Sequence, residues 1–149
     1  MNISRRIILA AGASATATAF FANGRVSATT DDIAEALKDF TDDAESDQGL
    51  IVITIPELAE NGSSVPITIS VDSPMTPDNF VESLMILAEG NPDPEVASFS
   101  FSALSGEAVV STRVRLQQSS TLTAAAKLNN GKSYRTSINV EVATGGCGA

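Results

Sequence analysis

An all-β fold is what this 149-residue sequence predicts, and three observations predict it. From Leu50 onward, apolar and polar residues alternate in short runs, the period of strands with one buried face. Turn signals separate the runs at Asn61-Gly62, Ser73-Pro74, Gly90-Asn91-Pro92-Asp93-Pro94, Ser105-Gly106 and Asn130-Gly131. Hydrophobic residues make up 43 % of the chain while aromatics make up 5 % and Trp is absent, so the core must be aliphatic, which suits pleated surfaces. About seven such strands with regular punctuation make an immunoglobulin-like antiparallel β-sandwich, here preceded by a short N-terminal helix. The length fits one domain.

Residues 1–28 read as an export signal. Ser4-Arg5-Arg6 precedes an apolar, small-residue run that ends at Phe21, and Val26-Ser27-Ala28 offers a small-x-small cleavage site. Cleavage is expected after Ala28, leaving Thr29 as the mature N-terminus. The apolar run is too short and too rich in Ala, Gly and Thr for a good membrane span, so no membrane anchor is expected. The paired arginines are of twin-arginine type, a route that carries folded cargo, with the general secretion route as the alternative. The expected location is the periplasm.

The domain is expected over residues 29–142, beginning with an amphipathic helix at 30–46. Ile33, Leu37, Phe40 and Ala44 recur at helical spacing. Thr29 or Asp32 can cap it, and Asp31, Asp32 and Glu35 lie where the helix dipole favours acids. The further acids Asp39, Asp42, Asp43, Glu45 and Asp47 lack the spacing and central Gly of a calcium loop and read as a solvated face.

The strands follow in order. Leu50–Ile55 is a continuous apolar run, and Val65, Ile67, Ile69 and Val71 alternate with polar residues. Phe80–Ala88 is a third strand whose apolar spacing would also allow a helical turn; its apolar residues suit the core or a partner contact. Phe99 and Phe101 alternate with serines. Val110, Thr112, Val114 and Leu116 form a face opposite Arg113 and Arg115. Leu122, Ala124, Ala126 and Leu128 form the next, and Tyr134, Thr136, Ile138, Val140 and Val142 the last.

Composition excludes several functions. The signal carries Arg5, Arg6 and Arg25 and no acid, so the remainder has 6 basic residues against 18 acidic ones, a net charge of −12. Such a chain repels nucleic acid and anionic membranes and suits basic protein partners. There is no His and one Cys. A Cys–His dyad, an internal disulfide and a structural zinc site are therefore out of reach, and neither metal nor other cofactor is expected.

The chemistry falls to the tail, residues 143–149, which reads Ala143-Thr144-Gly145-Gly146-Cys147-Gly148-Ala149. Cys147 lies five residues past Val142, a reach of roughly 17 Å in extension. Gly145, Gly146 and Gly148 remove bulk around the sulfur and give the tail flexibility. A buried apolar filler does not fit this position, whereas an unpaired Cys in an exported protein points to intermolecular pairing or a reactive thiol. No cation of the tail activates the thiol, and the Ala149 carboxylate disfavours the thiolate, so catalysis by this chain alone is not expected. Two readings stand: a covalent carrier whose Cys147 is activated inside partner active sites, and a structural sandwich dimerised by a Cys147–Cys147 disulfide.

Several stretches resemble one family. Ile55-Pro56-Glu57-Leu58-Ala59-Glu60-Asn61-Gly62 with Val65-Pro66, Val71-Asp72-Ser73-Pro74-Met75-Thr76, Asn91-Pro92-Asp93-Pro94-Glu95-Val96-Ala97 and Ser111-Thr112-Arg113-Val114-Arg115-Leu116 are similar to the SoxY carriers of thiosulfate oxidation. The ending Gly145-Gly146-Cys147-Gly148 resembles that family's Gly-Gly-Cys-Gly-Gly terminus, with Ala149 in place of the last Gly. The resemblance covers nearly all of the chain after the signal. It implies an immunoglobulin-like fold, a heterodimer with SoxZ, and Cys147 as the covalent attachment point. It also implies a reaction cycle. Haem-containing SoxAX couples thiosulfate oxidatively to the cysteine, the manganese hydrolase SoxB releases sulfate, and SoxCD oxidises the remaining sulfane sulfur.

Overall fold

The computed structural model describes residues 27–42 and 46–145. A helix, α1 (Thr30–Thr41), opens the domain. Nine strand segments follow: β1 (Ser46–Asp47), β2 (Ile51–Thr54), β3 (Leu58–Ala59), β4 (Val65–Val71), β5 (Val81–Ala88), β6 (Glu95–Ser100), β7 (Ala108–Val114), β8 (Ser120–Leu128) and β9 (Ser133–Val142). Seven of them have four or more residues, and these are the seven expected from the sequence. One sheet runs β1-β9-β8-β5-β6, with β3 also pairing β9; the other runs β2-β4-β7. The long pairings are antiparallel, while the two-residue β1 and β3 add to β9 in parallel. The architecture is an immunoglobulin-like β-sandwich with a helix on the outer face of the larger sheet.

The period-two pattern explains the core. Val65, Ile67, Ile69 and Val71 of β4 point inward from the small sheet, and Leu122, Ala124, Ala126 and Leu128 of β8 meet them from the large one. Strand β5 breaks the alternation for a physical reason: it is covered on both faces. Val81, Leu84, Ile86 and Ala88 join the sandwich core, whereas Met85 and Leu87, with Ala125 of β8, lie under Ile33 and Leu37 of α1. Sinking Ile33 and Leu37 stabilises the helix–sheet contact by about 1.5–3 kcal/mol each. The apolar residues of β5 are thus interior, and the partner-contact reading of this stretch falls away.

The helix is shorter than the expected 30–46. Its N-terminus is a capping box, with Thr29 as the cap and Asp32 bonding back to the Thr29 N–H. It stops at Thr41 because Asp42 turns left-handed, φ 53° and ψ 44°, and donates its N–H to the Lys38 carbonyl. The Asp42 carboxylate pairs with Lys127 of β8, which ties this end to the sheet. Ala44, expected on the apolar stripe, lies outside the described residues, and Ser46 already belongs to β1. No helix among the described residues is long and apolar enough to cross a membrane.

Candidate functional site

The site is the base of the C-terminal tail, and strand β9 delivers it. Outside the last residues of β9 runs β3, in the register Leu58↔Glu141 and Ala59↔Val142. The Glu141 and Ala143 amides donate to the Glu57 and Ala59 carbonyls, each at 2.9 Å. One step further, the Gly62 amide donates to the Thr144 carbonyl at 2.7 Å, and the Leu116 amide donates to the Gly62 carbonyl at 2.8 Å. The Val142 amide finds the Ser119 hydroxyl at 2.8 Å. Segments 57–62, 116–119 and 141–145 therefore close into a collar of backbone hydrogen bonds.

Local sequence shapes each side of the collar. Asn61 accepts from the Ser63 amide through its side chain, an Asx turn that folds the chain so that buried Gly62 reaches Thr144. On the other side, Asn91 acts as a brace. Its Nδ2 donates to the Arg115 carbonyl at 2.9 Å and its Oδ1 accepts from the Gln117 amide at 3.0 Å. At 8 % exposure it is one of the few buried polar residues, and these two bonds satisfy its side chain. The Asn91 carbonyl accepts from the Ala28 amide at 2.7 Å, and the Gly90 amide returns a bond to the Ala28 carbonyl at 2.9 Å. Ala28, buried at 6 % exposure, is thereby linked through Asn91 to the segment that holds the tail.

Gly145 is the last described residue, and the collar uses its missing side chain. A Cβ there would run into the Gln117 carbonyl oxygen. Its backbone is not in the left-handed region, unlike that of Gly49, Gly90, Gly106 and Gly131. The packing requirement is therefore space. The sequence reading starts the tail at residue 143, yet the structure carries backbone hydrogen bonds through Thr144 and close packing through Gly145. Of the residues singled out in the sequence, Gly146, Cys147 and Gly148 lie outside the described residues. Cys147 is two positions past Gly145, so its Cα lies at most about 7 Å further along the chain.

Among the described residues no group of three or more His, Cys, Asp or Glu is placed to hold a metal ion. The shifted titrating groups lie elsewhere: Thr29 hydrogen bonds lower the Asp32 carboxyl, and the Asp42 carboxylate raises Lys127. The collar residues Gly62, Asn91 and Gln117 were not singled out as functional from the sequence. The turn signals Asn61-Gly62 and Asn91-Pro92 mark two of them; nothing in the sequence marks Gln117.

Comparison with known proteins agrees in family and fold. The family described as sulfur oxidation protein SoxY matches residues 33–147. A solved structure of the sulfur carrier protein SoxY from Chlorobium limicola f thiosulfatophilum is 27 % identical, with a TM-score of 0.64, covering 76 % of this chain and 98 % of that one. A superoxide reductase (neelaredoxin) from Ignicoccus hospitalis is 19 % identical at a TM-score of 0.56, covering 68 % and 84 %. The superoxide reductase from Nanoarchaeum equitans is 17 % identical at 0.55, covering 64 % and 100 %. The two reductases share the fold alone. No match was found among curated protein sequences.

Proposed function

The chain belongs to the SoxY family of sulfur oxidation proteins, and from that premise we propose that it is a covalent carrier of sulfur intermediates in periplasmic thiosulfate oxidation, with Cys147 as the attachment point. The observation that carries this reading is the extent of the family match, which runs through the sandwich and the collar to Cys147 itself. The solved neighbour at 27 % identity is a sulfur carrier, which supports the same role here.

The chemistry needs an exposed, sterically bare sulfur and a scaffold that does not react with it. A chain without His and with a single Cys offers no imidazole to pair with the thiol and no resolving thiol. Oxidative coupling joins the Cys147 sulfur to the terminal sulfur of thiosulfate, releasing one proton and passing two electrons to a haem partner of SoxAX type. Hydrolysis by a SoxB-like enzyme then releases sulfate and leaves a persulfide, which a SoxCD-like enzyme oxidises further. A SoxZ-like subunit completes the carrier as a heterodimer. Gly146 and Gly148 keep the sulfur slender enough for several unlike pockets. This chain contributes the handle, and its partners contribute the catalysis.

Intact mass spectrometry of the protein from thiosulfate-grown cells tests the reading. Sulfur adducts on Cys147 that vanish on reduction, and that are absent from Cys147→Ser, are expected. A bare thiol, or only a Cys147-linked homodimer, would overturn the carrier in favour of a structural disulfide-bonded sandwich.

A further inference from the structure

The collar sets how far Cys147 can travel, and that has a consequence for its partners. The last hydrogen bond, Gly62 to Thr144, and the packing of Gly145 on Gln117 leave one residue, Gly146, and two Cα-to-Cα steps between the anchored chain and the cysteine. Two extended steps span about 7 Å, and the side chain adds a few ångströms. A catalytic pocket that receives the sulfur must therefore bring its mouth against the collar. The outer rim of the collar is then a contact surface whichever protein handles the cargo.

The rim has a definite chemistry. Glu57, Glu60 and Glu141 are exposed there; of the two exposed cations nearby, Arg113 donates to the Ser64 carbonyl and hydroxyl on the adjoining turn, and Arg115 lies on the segment that precedes Leu116, so carboxylates outnumber cations at the rim. Leu58 sits directly across the strand pair from Glu141 and is 55 % exposed, one of four large apolar side chains left in solvent among the described residues. A second copy of this chain would meet the rim with the same carboxylates, and like charges face to face are unfavourable. A basic surface fits instead.

We propose that the rim formed by Leu58, Glu60 and Glu141 is a shared docking surface for the proteins that load and unload Cys147, and that these proteins present a basic mouth with an apolar notch for Leu58. The inference rests on the carrier reading and adds to it where on the sandwich the partners seat and with what charge.

The test uses the full chain in its own thiosulfate-grown host and reads the adduct-bearing fraction of Cys147 by intact mass. Glu60→Lys with Glu141→Lys should lower loading about tenfold. The neutral pair Glu60→Gln with Glu141→Gln should fall between that and wild type, and it serves also if the charge-reversed protein does not fold. Leu58→Ala should lower loading as well. A control with Glu35→Lys and Asp39→Lys, two exposed acids of α1, should load as wild type does. Iodoacetamide should label Cys147 equally in all of them, showing that the thiol itself is open. Normal loading in the rim variants, or an equal loss in the α1 control, overturns the docking rim while the carrier stands. A wild-type chain that never carries sulfur overturns the carrier reading, and the rim falls with it.

Discussion

Asn91 holds the Gln117 amide at 3.0 Å, and the carbonyl of the same Gln117 is the atom on which Gly145 packs. One buried side chain, 26 residues upstream of Gln117, thus fixes the wall against which the tail leaves the fold. Asn91→Ala strips partners from the Arg115 carbonyl and the Gln117 amide, two part-buried hydrogen bonds worth about 0.5–1.5 kcal/mol each. Urea unfolding should show a loss of that size. Asn91→Asp keeps the acceptor for Gln117 but sets a carboxylate against the Arg115 carbonyl, so it should not restore wild-type stability. An unchanged urea midpoint in Asn91→Ala would remove the brace from the account.

Gly145→Ala puts a methyl group into the Gln117 carbonyl. The strain can be relieved by giving up the bonds that hold the tail, so the penalty is limited to those bonds, about 0.5–1.5 kcal/mol each. Global stability should barely change, but hydrogen exchange at Ala143 and Gly62 should accelerate, because their amides bond to Ala59 and to Thr144. Exchange at Ile69 in the core serves as the internal standard. Unaltered protection at Gly62 would mean that Gly145 is not seated on Gln117.

The strands were legible because their signal is local. Val65, Ile67, Ile69 and Val71 state a period of two by themselves, and one face buried is all that pattern requires. Strand β5 was legible as apolar but ambiguous in type, since the cover α1 gives to Met85 and Leu87 is a tertiary fact. The helix end was misjudged because Ala44 prolongs the spacing, while the stop is a left-handed Asp42 with no Gly to announce it. The collar was hidden for a stronger reason. Leu58 meets Glu141 across 83 residues by their numbering, and two residues of β3 carry too little pattern to predict a partner.

The capping box gives a pH dependence of known sign. The Thr29 backbone and side chain hold the Asp32 carboxyl below the ordinary carboxylate range, so its charged form is favoured by folding. That stabilisation is fully present above the unfolded carboxyl value and is lost as pH falls through the lowered folded one. Comparing Asp32→Ala with wild type, the variant should melt lower at pH 7, and the gap should close toward pH 2. A gap that widens on acidification contradicts the cap.

The cleavage expected from the sequence would fall directly after Ala28, a residue that also takes part in the fold. Its amide and carbonyl bond to Asn91 and Gly90, and its methyl is buried. A chain that begins at Thr29, as the cleavage signal predicts, loses both bonds and leaves the 90–91 turn without its neighbour. Two ordinary hydrogen bonds are worth about 0.5–1.5 kcal/mol each, so a chain retaining Ser27-Ala28 should be more stable by about 1–3 kcal/mol. Because Asn91 also braces Gln117, exchange at the Gln117 amide should be faster in the shorter chain. Chemical denaturation of the two purified chains, with N-terminal mass analysis of the protein from its own host, checks both points. Equal stability would mean that Ala28 only fills space beside the turn, and that cleavage after it leaves the collar untouched.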